Sequence, residues 1–337
     1  MQVSLIGIDL AKNVFQVCGV NQAGKQLFNK TMSRAKLFDF IVGYPKAIIA
    51  MEACSGSNSW GRKFLKAGFE VRIIPPIHVK PFVRGNKNDR NDAFAITEAA
   101  VRPHMHFVNP RTIEQSSLMM WLKARRGRVD QRTALTNQIR GFLNEFHIVV
   151  GQGAATLRKA LGSILEDAQN ELTCSARELI NDLWQQWQSL DNFIDKATKE
   201  IERYARKNSD CKLLMGIDGV GHIVSAAVVA YAGDGKDYKN GRQFAANLGL
   251  TPREHSSGGK HNLGGITKRG NRYLRSLLVQ GAWSVIKHAK KKTDRLSRWA
   301  LAIIERRGKH KAALAVANKL ARISWAVLYH KTSYQPG

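Results

Sequence analysis

The run VSLIGIDLAKNVFQVCGVNQAGKQLFNKTM, residues 3–32, decides the fold of the N-terminal part of the chain. It holds three β-rich stretches, VSLIGID (3–9), VFQVCGV (14–20) and KQLFNKTM (25–32), with turn-sized gaps between them, one carrying Asn21, Gly24 and Lys25. Branched and aromatic runs broken by turn residues predict an antiparallel meander. Further on, AIIAMEA (47–53) and FEVRIIPP (69–76) each follow a helix-like segment and are continuous enough to be buried parallel strands. Three strands followed by alternating helices and strands predict an α/β sheet of ribonuclease H type over residues 1–108, although other α/β domains begin in the same way.

Residues 109–210 lose the strand signal and read as helix. From Ile180 the apolar positions step by threes and fours through Leu183, Trp187, Leu190, Ile194, Ala197, Ile201 and Tyr204, a heptad seam. A weaker seam runs through Leu118, Leu122, Val129, Ile139, Leu143 and Phe146 and is interrupted by Arg125 and Arg132. The two predict a coiled-coil hairpin turning near Gly151, Gly153 and Gly162, or equally a seam shared between the subunits of a dimer. Residues 211–337 read as a mainly α C-terminal domain. Its helix at 309–328 puts Ala312, Ala313, Val316, Leu320, Ile323 and Val327 on one face and leaves its basic residues for solvent or nucleic acid.

Composition narrows the partner. A chain of 337 residues, 44% hydrophobic and 23% charged, has room for two or three domains with real cores and is not a disordered tail. Its 53 Lys and Arg against 26 Asp and Glu give a net charge of +27. Between 241 and 337 the 20 basic residues face only Glu254, Asp294 and Glu305, so that region expects phosphates. A ribosome-associated or merely cationic surface is the plainer alternative. The cysteines Cys18, Cys54, Cys174 and Cys211 are scattered without zinc or redox spacing and read as reduced thiols of a cytoplasmic protein. No cationic start leads into a long apolar run, so neither export nor a membrane role is expected.

Three constellations can carry chemistry. Asp9 ends one apolar strand and Glu52 another, so neighbouring strands can deliver both carboxylates to one sheet edge. Asp89 and Asp92, in GNKNDRNDAFAITEAA, are three apart at a helix start and share a face. Four converging carboxylates repel unless divalent cations lie among them, and oxygen-only donors favour Mg²⁺ or Mn²⁺. A pair of such ions activates an attacking oxygen and stabilises a leaving one at phosphorus. Each carboxylate also has an ordinary reading, an Asp closing a turn or Asp89 as a helix N-cap. The second constellation, MGIDGVG (215–221), fits a helix-hairpin-helix turn in which the backbone around Gly216, Gly219 and Gly221 holds a phosphate, or else a glycine-rich connection between packed helices. The third, Ser256 to His261 with Arg253 and His255, lies in the glycine-rich loop 250–275. Small residues let a phosphodiester approach a serine hydroxyl and nearby cations stabilise developing charge, yet no sequence-adjacent general base is evident and most such serines are simply loop.

These residues carry a family resemblance. GIDLAK (7–12), MEACSGS (51–57), IPPIHVKPFVRGNKNDRNDA (74–93), GIDGVG (216–221), LGLTPREHSSGGK (248–260) and GITKRGNRYLR (265–275) together resemble the DEDD-type insertion-sequence transposases. That family comprises bridge-RNA-guided recombinases related to the pilin-inversion recombinases, and the resemblance spans nearly the whole chain. It implies a ribonuclease H-like fold similar to Holliday-junction resolvases, joined through a coiled coil to a C-terminal transposase domain. It also implies a Mg²⁺-binding tetrad at Asp9, Glu52, Asp89 and Asp92, with Mn²⁺ as a substitute. The family's serine nucleophile falls on Ser257, with Ser256 beside it as an ambiguity, and forms a 5′-phosphoserine link to DNA. Arg253, Lys260, Lys268, Arg269, Arg272 and Arg275 become candidate nucleic-acid contacts. The implied partners are donor DNA, target DNA, an element-derived guide RNA and further copies of the chain, a dimer assembling to a tetramer, with acidic site and serine drawn from different subunits. Cys54 and Ser55 after Glu52 and Ala53 depart from the family's more familiar glutamate motif and leave the RNA architecture open. Two other readings stand beside this one: a metal-only nuclease selective for branched DNA, and a nonenzymatic RNA-binding protein.

Overall fold

The computed structural model describes residues 2–86 and 88–337, which divide into two compact units. The first comprises residues 1–116 together with 235–239. Its elements are β1 (Leu5–Asp9), β2 (Val14–Val20), β3 (Gln26–Ser33), α1 (Arg34–Val42), β4 (Ile48–Glu52), α2 (Ser57–Lys66), β5 (Val71–Ile74), α3 (Pro76–Val79) and α4 (Asp89–Ala100). They form one five-stranded sheet in the order β3-β2-β1-β4-β5. β1, β2 and β3 are antiparallel, while β4 and β5 run parallel to β1. This is the mixed sheet anticipated from the meander and the two later strands. At the turn between β2 and β3 Asn21 accepts the Gly24 N–H at 2.9 Å through its backbone and the Lys25 N–H at 2.9 Å through its side chain, so the residues that signal the turn also hold it.

Alternation along the strands splits the core in two. Ile6 and Ile8 of β1, with Ile49 and Met51 of β4, pack with Leu37 and Ile41 of α1 and Phe64 of α2. The opposite face collects Leu5 and Ala50 with Ala93, Ile96 and Ala99 of α4. Period-two alternation therefore puts Gly7 and Asp9 on the face that α4 covers, and Glu52 on the same face after Ala50. Gly7 is the point of closest approach: a Cβ there would lie 2.6 Å from Thr97 Cγ2 and 2.7 Å from the Ala93 carbonyl oxygen. Residues 235–239 close the unit, with Asp237 accepting from the Asn109 backbone N–H at 3.3 Å and Tyr238, 3% exposed, tilted against His106.

The second unit comprises residues 117–234 and 240–337. Its helices are α5 (Ile113–Asn144, beginning in the first unit), α6 (Ala154–Glu166), α7 (Cys174–Lys207), α8 (Ser209–Met215), α9 (His222–Ala232), α10 (Gly241–Asn247), α11 (Arg272–His288), α12 (Arg295–Arg307) and α13 (Lys309–His330). A small antiparallel pair, β6 (Pro252–Glu254) and β7 (Leu263–Ile266), interrupts them. Ile180, Trp187, Leu190, Ile194, Ala197 and Ile201 are buried, the seam read from the sequence. α5 faces α7 antiparallel, through Trp121 to Phe193, Arg125 to Thr198 and Arg132 to Asp191. The two arginines that interrupt the α5 seam thus make polar bridges across to α7. Gly162 lies inside α6, where Leu157 and Leu161 are buried, so the link from α5 to α7 is a helix rather than one glycine-rich turn. No helix of the described residues is long and apolar enough to cross a membrane.

Candidate functional site

The acidic residues stand at one end of the sheet. β1 and β4 are parallel neighbours with Ile8 opposite Met51, so the residues that follow, Asp9 and Glu52, leave the two strands side by side. Both are half-buried. Their charges are felt by Cys54, whose thiol pKa is raised first by burial and further by Glu52 and Asp9. Asp89 and Asp92 occupy the first turn of α4, where the helix dipole favours negative charge. The cap itself is Asn88, whose side chain accepts the Asn91 N–H at 2.8 Å, so neither aspartate is consumed in capping. Asn29 of β3 also ties this turn to the sheet, its Nδ2 donating to the Arg90 carbonyl at 3.0 Å.

All four carboxylates thus belong to the α4 side of the sheet. Among the described residues, however, no three Asp, Glu, His or Cys side chains close around a point that could hold an ion. The structure brings Asp9 and Glu52 together and leaves Asp89 and Asp92 as a second pair on α4. The donor chemistry fits a hard divalent ion, since each side chain offers carboxylate oxygens. Asp9 and Glu52 would hold it first, with Asp89 and Asp92 as further donors.

The serine motif is not a plain loop. It is the tip of the β6–β7 hairpin, where Ser257 and Lys260 bridge and the Lys260 N–H donates to the Ser257 carbonyl at 3.0 Å. Gly258 and Gly259 between them have φ of +53° and +77°, the pair of left-handed residues that a tight hairpin turn demands. Ser256 and Ser257 then part company. The Ser256 hydroxyl donates to Glu254 Oε1 at 2.7 Å and accepts the Asn262 N–H at 3.2 Å. Ser257 is exposed at the tip, and among the described residues no hydrogen bond restrains its hydroxyl. Glu254, with His261 Nδ1 at 3.5 Å from it, is a further candidate that sequence reasoning missed. Its signal is weak, an acid at the second position before a serine in an otherwise basic stretch.

The cationic candidates divide into exposed and committed. Arg253, Lys260, Lys268, Arg269 and Arg272 are exposed. Arg275 instead donates to the carbonyls of Leu248 at 2.9 Å and Arg269 at 3.1 Å, bracing the base of the hairpin. The MGIDGVG turn joins α8 to α9, with the Val220 N–H donating to the Ile217 carbonyl at 2.9 Å. Gly219, at φ +83°, lies against α11: a Cβ there would be 2.5 Å from the Gly281 carbonyl oxygen. Gly221 has open space around the position a Cβ would take, and Asp218 is bound by Lys292 Nζ at 2.6 Å.

Residues 6–148 match a family described as transposase, and residues 211–298 match one described as the IS116/IS110/IS902 transposase family. The chain is 41% identical to a transposase for insertion sequence element IS1111A of Coxiella burnetii, over 99% of this chain and 92% of that protein. It is 40% identical to a probable family 20 transposase of Pseudomonas aeruginosa, over the full length of both. A pilin gene-inverting protein of Moraxella lacunata is 22% identical over 97% of this chain and 96% of its own length.

Proposed function

Because the chain belongs to the IS116/IS110/IS902 transposase family, enzymes that cut and rejoin DNA, we propose that it excises and inserts an insertion-sequence element through a serine nucleophile, with Mg²⁺ and an element-derived guide RNA. The observation that carries the serine step is the contrast at the hairpin tip: Ser256 is held by Glu254, and Ser257 projects beside two glycines. Ser257 Oγ forms a bond to the DNA phosphorus as the P–O3′ bond breaks. The serine gives up its proton and the leaving 3′ oxygen takes one. Attack by the 3′-hydroxyl of the exchanged strand reverses both steps and frees the serine. Exposed cations around the hairpin, Arg253 and Lys260 among them, offset the charge that develops at phosphorus.

Asp9, Glu52, Asp89 and Asp92 would hold Mg²⁺ or Mn²⁺, which when bound polarises phosphate oxygens and stabilises the leaving group. The acidic side chains and Ser257 belong to different compact units, which suits the reading that one subunit supplies the acids and another the serine in a dimer or tetramer on DNA. Further proposals are the coiled-coil role of α5 and α7, the helix-hairpin-helix role of α8 and α9, the division at residues 108 and 210, and action in the cytoplasm. Backbone recognition by exposed cations leaves sequence choice to base pairing with donor and target DNA, which supports a guide RNA.

The test is to trap products under denaturing conditions with Mg²⁺, element-end DNA and RNA copurified with the protein. A protein–DNA adduct lost in Ser257→Ala but kept in Ser256→Ala supports the reading. Free cleaved ends from both variants favour a metal-only nuclease and overturn it.

A further inference from the structure

A second feature of the basic unit lies beside the serine hairpin. Between β7 and the helices α12 and α13 is a groove of about 900 Å³, within the range of roughly 300–1,000 Å³ that holds a small ligand. Its apolar lining includes Leu263, Ile266 and Leu314, and Trp299 of α12 stands at it 37% exposed. Cations come from one stripe of α13, Lys311, Lys319 and Arg322 at steps of eight and three residues, and among the described residues no Asp or Glu lines it. Lys319 Nζ lies 5.9 Å from the centre of the Trp299 ring, so a cation already sits over the indole. A second cavity of about 460 Å³ shares Lys319 and Arg322 and adds Arg242, which extends the cationic track past α13. Asn318 Nδ2 donates to the Leu250 carbonyl at 3.2 Å and fixes α13 against the base of the hairpin.

An exposed indole, an apolar wall and a row of cations without acids are the parts of a site for unpaired nucleotides: bases stack on the ring and phosphates follow the cations. A duplex hides its base faces, so the indole can discriminate only an unstacked strand. We propose that this groove binds single-stranded DNA, with a base laid on Trp299 and its phosphates along Lys311, Lys319 and Arg322. The proposal deepens the recombinase reading and rests on it for the choice of DNA, because β7, which lines the groove, belongs to the hairpin that carries Ser257.

The experiment is fluorescence polarisation with a twelve-nucleotide oligothymidylate, a duplex of equal length and an oligouridylate at fixed salt, using the full chain. Trp299→Ala weakens the single-stranded DNA by at least about fivefold, the low end of the loss per stacked base, while duplex affinity stays within twofold. Trp299→Phe, which keeps a stacking face, restores most of the affinity, and Lys319→Glu lowers both the affinity and its salt dependence. Equal loss on duplex and single strand, or none on either, overturns the site, and loss confined to oligouridylate overturns the choice of DNA. Adduct formation by Ser257→Ala would count against the serine reading alone.

Discussion

Gly7→Ala tests how the acidic site is spaced. Gly7 lies in β1, two residues before Asp9, and the helix it touches carries Asp89 and Asp92. The added Cβ would stand 2.6 Å from Thr97 Cγ2 and 2.7 Å from the Ala93 oxygen. Unstrained carbon contacts lie near 3.5–4.0 Å, so α4 must retreat by roughly 1 Å. Overpacking of this kind costs about 1–3 kcal/mol. Thr97 is 2% exposed and the Ala93 oxygen is backbone, so neither can swing aside. Urea unfolding should show a midpoint lowered by about 1 M for a loss of 2 kcal/mol, given a slope of roughly 2 kcal/mol/M. Adduct formation with Mg²⁺ should fall by about tenfold or more at temperatures where the variant remains folded, since a 1 Å displacement readily costs that much. Thr97→Ser on the Gly7→Ala background removes the methyl but not the carbonyl contact, and should recover part of both. A variant within about 0.5 kcal/mol of the parent and fully active would refute the argument that Gly7 sets the distance between Asp9 and the helix.

Gly219→Ala should cost about 2–4 kcal/mol in thermal or urea unfolding, from left-handed strain and the clash with Gly281, while Gly221→Ala, in open space, should be near neutral. Equal costs would remove the packing account of Gly219. Burial alone would raise the Asp294 carboxyl, but hydrogen bonds from Ser297 and the Leu296 backbone outweigh it and hold the group below its usual 3.8. A depressed carboxylate stabilises the fold above its ordinary pKa and loses that contribution as pH falls through the folded value. Asp294→Ala should therefore cost about 1 kcal/mol at pH 7, with the two proteins converging below pH ~4 in melts taken across pH. Burial pushes the Cys18 and Cys211 thiols up to about 12, whereas Cys54 and Cys174 are exposed. Iodoacetamide at pH 8 should label only the latter pair in the folded chain, as read by peptide mass spectrometry.

Much of the first unit was legible because its strands obey simple alternation and its turns use residues with particular backbone needs. Asp9 and Glu52 could be placed on one edge since each ends an apolar run. What sequence spacing could not supply was the third dimension, namely that Gly7 presses on α4 and so puts Asp89 and Asp92 on the same face. In the second unit, the seam from Ile180 to Ile201 was plain. Gly162 was misleading because burial of Leu157 and Leu161 overrides the poor helix propensity of one glycine. The β6–β7 hairpin was hidden for a different reason. Its strands, PRE and LGGI, are short and largely exposed, so no apolar period marks them. The contact between Glu254 and Ser256 depends on that hairpin and could not be read without it.

Residues 235–239 give the acidic unit an unusual dependence on the order of synthesis. At 5–20 residues per second a ribosome needs roughly 6–25 s to travel from Ser116 to Lys239, and for that interval the Asn109 and His106 partners supplied by Asp237 and Tyr238 do not yet exist. The half of the enzyme that bears the carboxylates is thus completed only after α5 to α9 have been made. A truncated translation product ending before that point carries Asp9, Glu52, Asp89 and Asp92 on an unfinished scaffold, which ties the carboxylate-bearing unit to the presence of most of the chain.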